Sequence, residues 1–450
     1  MLNISETGTS DTLRVIPRPR HNVSRSSISR NALKVLYRLK DAGYQAFLVG
    51  GGVRDLLLGR EPKDFDIATD AHPDEVRELF RNCRLIGRRF RLAHVFFGPE
   101  VVEVATFRAA ADDEDDGDAD ADGNATSRLM TDSGRIIRDN VYGSIDEDAW
   151  RRDFTANALY YNIADFSIWD YVGGVEDIHA GVLRVIGEPD VRFREDPVRM
   201  LRAVRFAAKL GFRLHSDTER SLHELASLIA EVSPARLLDE IMKLFFCGHA
   251  LQSFELLRQH HLFDCLFPMT ERALNDADNA AFRQMLTHAI GDTDARVAEG
   301  RPVGPSWLFA VFLWDAIRCR ATELIEEGVN EYQAIHIATE ETSRKQQRTI
   351  ALPRRFVPPM RDMLALQPRF RTQKGARVLR LLDHPSFRAA YDFLLLRVAA
   401  GIEDAAVAEW WTEIQELGPQ EQAAKAQVGG VPRRRRSGTR RRRPRARQGA

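Results

Sequence analysis

Apolar positions in this chain follow two regimes. From about residue 29 to 180, short apolar runs alternate with helical patterns; from Gly181 onward the spacing is helical almost throughout. Phe47-Leu48-Val49 predicts a strand that stops at Gly50-Gly51-Gly52. Val53 to Leu58 then reads as a helix, ended by Gly59. Asp64 to Thr69 has strand character, so Asp64 and Asp66 share one side while Phe65 and Ile67 turn to the other. Val101-Val102-Glu103-Val104 is an apolar strand broken by one acid, and strands are predicted to end near Phe107 and to resume at Ile136-Ile137. Between them, Ala109 to about Asp132 has no apolar period and reads as a solvated, disordered loop.

Further along, Asp196-Pro197 predicts a helix start, with the Asp as N-cap and the Pro in the first turn. Val198, Leu201 and Val204 form its core stripe, Arg199, Arg202 and Arg205 a second stripe, and Gly211 its stop. The longest apolar run, Trp307 to Trp314, is too short to cross a bilayer and predicts a buried helix. Ala376 to Leu382 and Phe387 to Val398 read as further helices. The fold class is α+β: an α/β head at 29–180, a helical neck at 181–267 and a helical body at 268–425. A polar, mobile arm at 1–28 and a disordered basic tail at 426–450 flank them, and the acidic loop 109–132 interrupts the head.

Composition changes this picture in one respect. The 450 residues carry 65 basic and 65 acidic side chains, and the zero balance hides strong asymmetry. Asp112, Asp113, Asp115, Asp116, Asp118, Asp120 and Asp122 lie in one acidic run; Arg433–Arg436, Arg440–Arg443, Arg445 and Arg447 form a basic tail suited to RNA phosphates. Cys83, Cys247, Cys265 and Cys319 are scattered, which argues against a zinc site or disulfides and for a reducing cytoplasm. The N-terminus has no apolar stretch of signal-peptide type.

The candidate chemistry lies in three stretches. Gly50 to Gly52 let backbone N–H groups approach a phosphate, at the positive end of the helix that follows. Paired carboxylates at Asp64 and Asp66 suit Mg²⁺, which takes one or two carboxylates plus substrate phosphates. Arg151-Arg152-Asp153 abuts an apolar run, placing a charged triplet at the edge of a buried element. Arg84, Arg88, Arg89 and Arg91, with Phe90, form a basic, aromatic patch that reads equally well as a contact for phosphates and a stacked base or as solvated surface. His260, His261 and His384 have no ligand-like companions and read as structural.

Taken together, LVGGGVRDLLLG, KDFD, RRDFTANALYY, YVGGVEDI and EDPVRMLRAVRFAAKLGF resemble the signature of the class II template-independent nucleotidyltransferases. That superfamily holds the tRNA CCA-adding enzymes and bacterial poly(A) polymerases. GRRFRLAHVFFGPEVVEVATFR and the arginine-rich end are similar to the poly(A) polymerase branch. The resemblance implies a nucleotidyltransferase-type head and AMP transfer from ATP to an RNA 3′ end, with CCA addition as the alternative activity. It implies Asp64 and Asp66 as catalytic Mg²⁺ ligands and Asp153 as a third catalytic carboxylate, with Glu103 its rival. It assigns Gly50, Gly51, Arg54, Arg152, Asp196, Arg199, Arg202 and Arg205 to the nucleotide. Asp196 and Arg199 would read the base edge. RNA chaperones and RNA-decay enzymes are the implied partners; the oligomeric state is left open.

Overall fold

The computed structural model describes residues 13–87, 91–109, 129–130, 136–138 and 141–427. The acidic run, Arg88, Arg89, Phe90 and the arginine tail lie outside the described residues. The chain divides into two compact units. One holds residues up to Asp278 with Ala289–Pro305 and Ser343–Pro353; the other holds Asn279–His288, Ser306–Thr342 and residues from Arg354 onward. The expected head and neck therefore cluster together, and the expected body is shared between the units.

Strand β1 (Arg14–Ile16) opens the first unit, followed by helix α1 (Arg30–Asp41), β2 (Ala46–Val49), α2 (Gly51–Leu57), β3 (Asp66–Thr69), α3 (Pro73–Leu79), β4 (Cys83–Ile86), β5 (Leu92–Phe97) and β6 (Glu100–Thr106). Next come β7 (Leu129–Met130), β8 (Ile136–Arg138), α4 (Ile145–Arg151), β9 (Leu159–Asn162), β10 (Ile168–Asp170) and α5 (Gly174–Ala180). β1, β10, β9, β2, β3, β6, β5 and β4 line up in that order as one mixed sheet. Only β3 and β6 run parallel within it. Ala32, Val35, Leu36 and Leu39 of α1 are buried. Phe47, Phe107, Ala149, Tyr160 and Tyr171 form an apolar core, with Phe47 and Tyr160 meeting edge to face at 6.1 Å.

Three expectations are corrected here. Arg14–Ile16 is no mobile arm: it pairs antiparallel with β10 as the edge strand. The strand expected from Asp64 starts only at Asp66, because its neighbour β2 ends opposite it at Val49 and turns away at Gly50. Leu129–Met130, inside the expected loop, pairs with Ile136–Arg138 as a hairpin.

The first unit continues through β11 (Val182–Leu183), α6 (Pro189–Glu195), α7 (Val198–Leu210), β12 (Arg213–Leu214), α8 (Ser216–Glu224) and α9 (Pro234–Phe245). The expected helical neck thus includes a short parallel pair, β11 with β12. α7 buries Val198, Leu201 and Val204 as its spacing predicts, and Gly211 ends it at φ 71°, a left-handed conformation that suits glycine. In the second unit, Pro305–Glu326 is a helix that buries Leu308 to Trp314. Helices Ala376–Leu382 and Phe387–Ala399 match the expected ones. Among the described residues, no helix is long and apolar enough to cross a membrane.

Candidate active site

Gly50, Asp64, Asp66, Glu103, Arg152, Asp153 and Asp196 line one cleft of about 760 Å³ in the first unit, together with Arg199, Arg202 and Arg205. β2 ends at this cleft because Gly50 takes φ 69° and ψ −137°, a turn open to glycine. The helix α2 begins at once, at Gly51, two residues earlier than its apolar spacing suggests. A side chain at Gly50 would lie 3.5 Å from Arg152 Nη1.

Asp64 is exposed, just ahead of β3, and Asp66 is the first residue of the strand. Strand pairing places Glu103 of β6 directly across from Asp66. Burial, then the Glu103 charge, with Asp64 adding to both, push the Asp66 carboxyl up to about 6, although Arg152 pulls the other way. Crowded carboxylates of this kind are relieved by a cation. Among the described residues, no three His, Cys, Asp or Glu side chains converge into a complete metal cage. The donor set fits Mg²⁺, whose remaining positions go to water and substrate phosphates.

The opposite wall is basic. Arg152 caps the C-terminus of α4 and is held on three acceptors: Asp148 Oδ2, at 3.2 Å from Nε and 3.0 Å from Nη2, the Tyr160 hydroxyl at 2.9 Å, and the Asn157 carbonyl, 3.4 Å from Nη1. The Tyr160 hydroxyl itself donates to Asp148 Oδ2 at 2.7 Å. Asp153 is engaged by two arginines: Arg199 Nε lies 3.1 Å from one oxygen and Arg202 Nη2 2.6 Å from the other. Burial raises the Asp153 carboxyl, but Arg202 and Arg199 outweigh it and hold the group below the usual range. Arg199 Nη1 also donates to Glu195 Oε2 and to the Arg192 carbonyl, each at 2.7 Å. Arg192 in turn clamps the carbonyls of Arg151 and Arg152 at 2.7 and 2.8 Å.

Two nucleotide-binding candidates take up unexpected positions. Arg54 lines the cleft but is buried; its Nε and Nη2 bond Asp55 Oδ1 at 2.8 and 2.7 Å, and Nη1 donates to Asn157 Oδ1. Gly51 packs against that guanidinium, so Arg54 braces the glycine turn from behind. Asp196 does not cap α7: its Oδ2 accepts from Arg236 of α9 at 2.8 Å, and Pro197 holds the N-cap position without a side-chain bond. The pull of that ion pair and an extended backbone (φ −149°, ψ 92°) draw the carboxylate off the helix end. Its other oxygen is buried and, among the described residues, has no hydrogen-bond partner. Arg205 sits 4.4 Å over the Phe206 ring and 3.4 Å from Glu240; burial lowers its proton affinity, against the pull of Glu240.

Asp148, Tyr160, Arg192, Glu195, Arg236 and Glu240 were not foreseen from the sequence. The spacing of Asp148 and Arg152, four apart on a helix, was a usable signal for one of them.

Sequence profiles match three stretches of the chain: "Poly A polymerase head domain" at 46–184, "Probable RNA and SrmB- binding site of polymerase A" at 211–274, and "Polymerase A arginine-rich C-terminus" at 327–448. Poly(A) polymerase I of Salmonella typhi is 46% identical over 437 residues, covering 96% of this chain and 92% of its own. The CCA-adding enzyme of Lactobacillus helveticus is 37% identical but covers only 50% of this chain and 52% of its own. The Thermotoga maritima CCA-adding enzyme complexed with tRNA shares the fold, with a TM-score of 0.57 at 19% identity over 90% of this chain and 85% of that one. Identity sustained along nearly the whole length of both chains places this protein in the poly(A) polymerase I family.

Proposed function

We propose that this chain extends RNA 3′ ends with adenylate without a template, transferring AMP from ATP and releasing pyrophosphate. The observation that carries the reading is the pairing of Asp66 with Glu103, beside Asp64, across one cleft from Arg152, Arg199 and Arg202. The RNA 3′-oxygen attacks the α-phosphorus, the bond to the β-phosphate oxygen breaks, and the hydroxyl proton passes to solvent. Asp64 and Asp66 would hold Mg²⁺, with Glu103 across from Asp66 on the neighbouring strand. When bound, the ion neutralises phosphate charge and lowers the pKa of the attacking hydroxyl. Asp153 pairs with Arg199 and Arg202, which supports Glu103 over Asp153 as the third carboxylate, the opposite of the expected order. Arg152 takes the triphosphate beside the glycine turn. The unpartnered oxygen of Asp196 is suited to accept from the exocyclic amine of adenine, with Arg199 beside it.

CCA addition remains the second reading, since a CCA-adding enzyme matches half of this chain at 37% identity; the match to a poly(A) polymerase I over nearly the whole chain favours adenylate tailing. The setting we propose is cytoplasmic RNA processing, with tails that mark transcripts for decay enzymes and RNA chaperones. Asp64→Ala and Asp66→Ala test the assignment. Each should abolish AMP incorporation while the circular dichroism and melting temperature stay near wild type, because a ligand rather than a core contact is lost. Wild-type incorporation by either folded variant would refute it.

A further inference from the structure

The carboxylates stand at one end of a row that runs across the sheet. Strand pairing sets Asp66 opposite Glu103, Glu103 opposite His94, and His94 opposite Arg84. Directly paired residues project to the same face, so the four side chains span β3, β6, β5 and β4 side by side. The row begins with two acids at the cleft and ends with an exposed arginine at the sheet edge. His94 Nε2 lies 3.2 Å from Glu103 Oε2.

The next row on the same face pairs Phe96 with Val101. The Arg84 guanidinium lies 5.5 Å from the Phe96 ring centre, and the His94 ring 6.3 Å. Ile86 and Val101 on this face keep 44% and 37% exposure, while the alternate residues Ala93, Val95, Val102 and Val104 are buried on the other side. Leu92, Glu103 and Ala105, also on the open face, line the cleft, so face and cleft are continuous.

A half-open sheet face with rings at its centre and a cation at its rim suits single-stranded nucleic acid, whose bases stack on rings while phosphates meet cations. The polarity of the row sets the direction. Phosphodiesters are attracted to Arg84 at the edge, while the metal-holding carboxylates at the other end are where a hydroxyl is activated. The terminus that carries a free hydroxyl in place of a further phosphodiester suits the acidic end. We propose that the open face of β4, β5 and β6 is the landing platform for the 3′-terminal nucleotides of the RNA, with His94 and Phe96 beneath the bases and Arg84 on an upstream phosphate. This inference rests on the AMP-transfer reading above, and it names where that reaction takes its acceptor.

The test measures KM for a generic single-stranded RNA and for ATP, and separately the RNA dissociation constant, on the full chain and on Phe96→Ala, Phe96→Trp, His94→Ala and Arg84→Ala. Loss of one stacking ring should raise the KM and dissociation constant for RNA by at least about five-fold, and Phe96→Trp should restore them. KM for ATP should stay within roughly two-fold of wild type, since only acceptor contacts are removed. Arg84→Ala should flatten the slope of log affinity against log salt by about 0.7. If Phe96→Ala fails to fold, exposed Arg84 carries the test alone. Unchanged RNA affinity and salt slope in folded variants would overturn the platform. A wild-type chain that binds RNA through these residues yet transfers no AMP would support the platform and overturn the AMP-transfer reading.

Discussion

Arg152 shows how a single guanidinium is fixed before any substrate arrives. Two of its nitrogens reach Asp148 and one of them also reaches the Tyr160 hydroxyl, which itself donates to Asp148. Burial, opposed by Arg152, raises the Tyr160 hydroxyl well above its ordinary pKa, so it stays protonated and able to donate. Tyr160→Phe removes one oxygen from this triangle at a cost to stability of about 1 kcal/mol. If Arg152 receives the triphosphate, KM for ATP should rise roughly three- to ten-fold with a smaller change in kcat, since a looser guanidinium binds less well. Steady-state kinetics with varied ATP at saturating RNA check this; an unchanged KM would leave the triangle a purely structural device. At this scale the sequence was informative about which residues reach the cleft and silent about what each one touches. Arg54 stands in the motif as a nucleotide ligand, and each of its three nitrogens already donates once, to Asp55 or to Asn157. Only the fold brings Asn157 to it, from 103 positions along the chain.

Among the elements, α5 and the short turn Thr155–Asn157 act as a pair. Gly174 lies so close to the Thr155 carbonyl that a side chain there would collide with backbone, and Thr155 Oγ1 donates to Asp177 of α5 at 2.7 Å. The turn carries Asn157, whose side chain accepts from Arg54 and whose carbonyl accepts from Arg152 Nη1 at 3.4 Å. Gly174→Ala should therefore lower stability by roughly 1–3 kcal/mol, as overpacking does, and depress AMP incorporation more than an equally destabilising core variant elsewhere. Denaturant melts beside initial rates would show this, and equal losses of activity at matched stability would remove α5 from the account. Apolar spacing revealed most elements, because burial of one stripe or face is what it records: α7 and the helix through Trp314 are clear cases. Ends were less legible. β3 starts at Asp66 because β2 offers no partner beyond Val49, and Asp196 leaves its capping role because Arg236, 40 positions away, competes for the carboxylate. β1 was missed because its three residues, with Arg14 and Val15 exposed, carry no apolar run of their own.

At the scale of the whole molecule, equal numbers of acidic and basic side chains coexist with a strongly basic end. The ten arginines between Arg433 and Arg447 supply charge without apolar content, so they can neutralise phosphates but cannot build a core. Removing residues 432–450 should flatten the salt dependence of RNA binding and raise KM for RNA, with KM for ATP and the melting temperature little changed. Titrations of a generic RNA at several salt concentrations decide it, and identical slopes would mean that the tail holds no RNA. The division into two compact units that share the chain downstream of Asp278 was not legible, because apolar period reports which face a helix buries and not which partner covers it. The account as a whole stands on the nature of the added nucleotide. The most direct measurement incubates the full chain and Mg²⁺ with labelled ATP or labelled CTP and two acceptors, a generic transcript and a tRNA lacking its CCA end. The account predicts repeated AMP addition to the generic transcript with little incorporation from CTP; CMP addition confined to the tRNA, stopping after a fixed short extension, would contradict it.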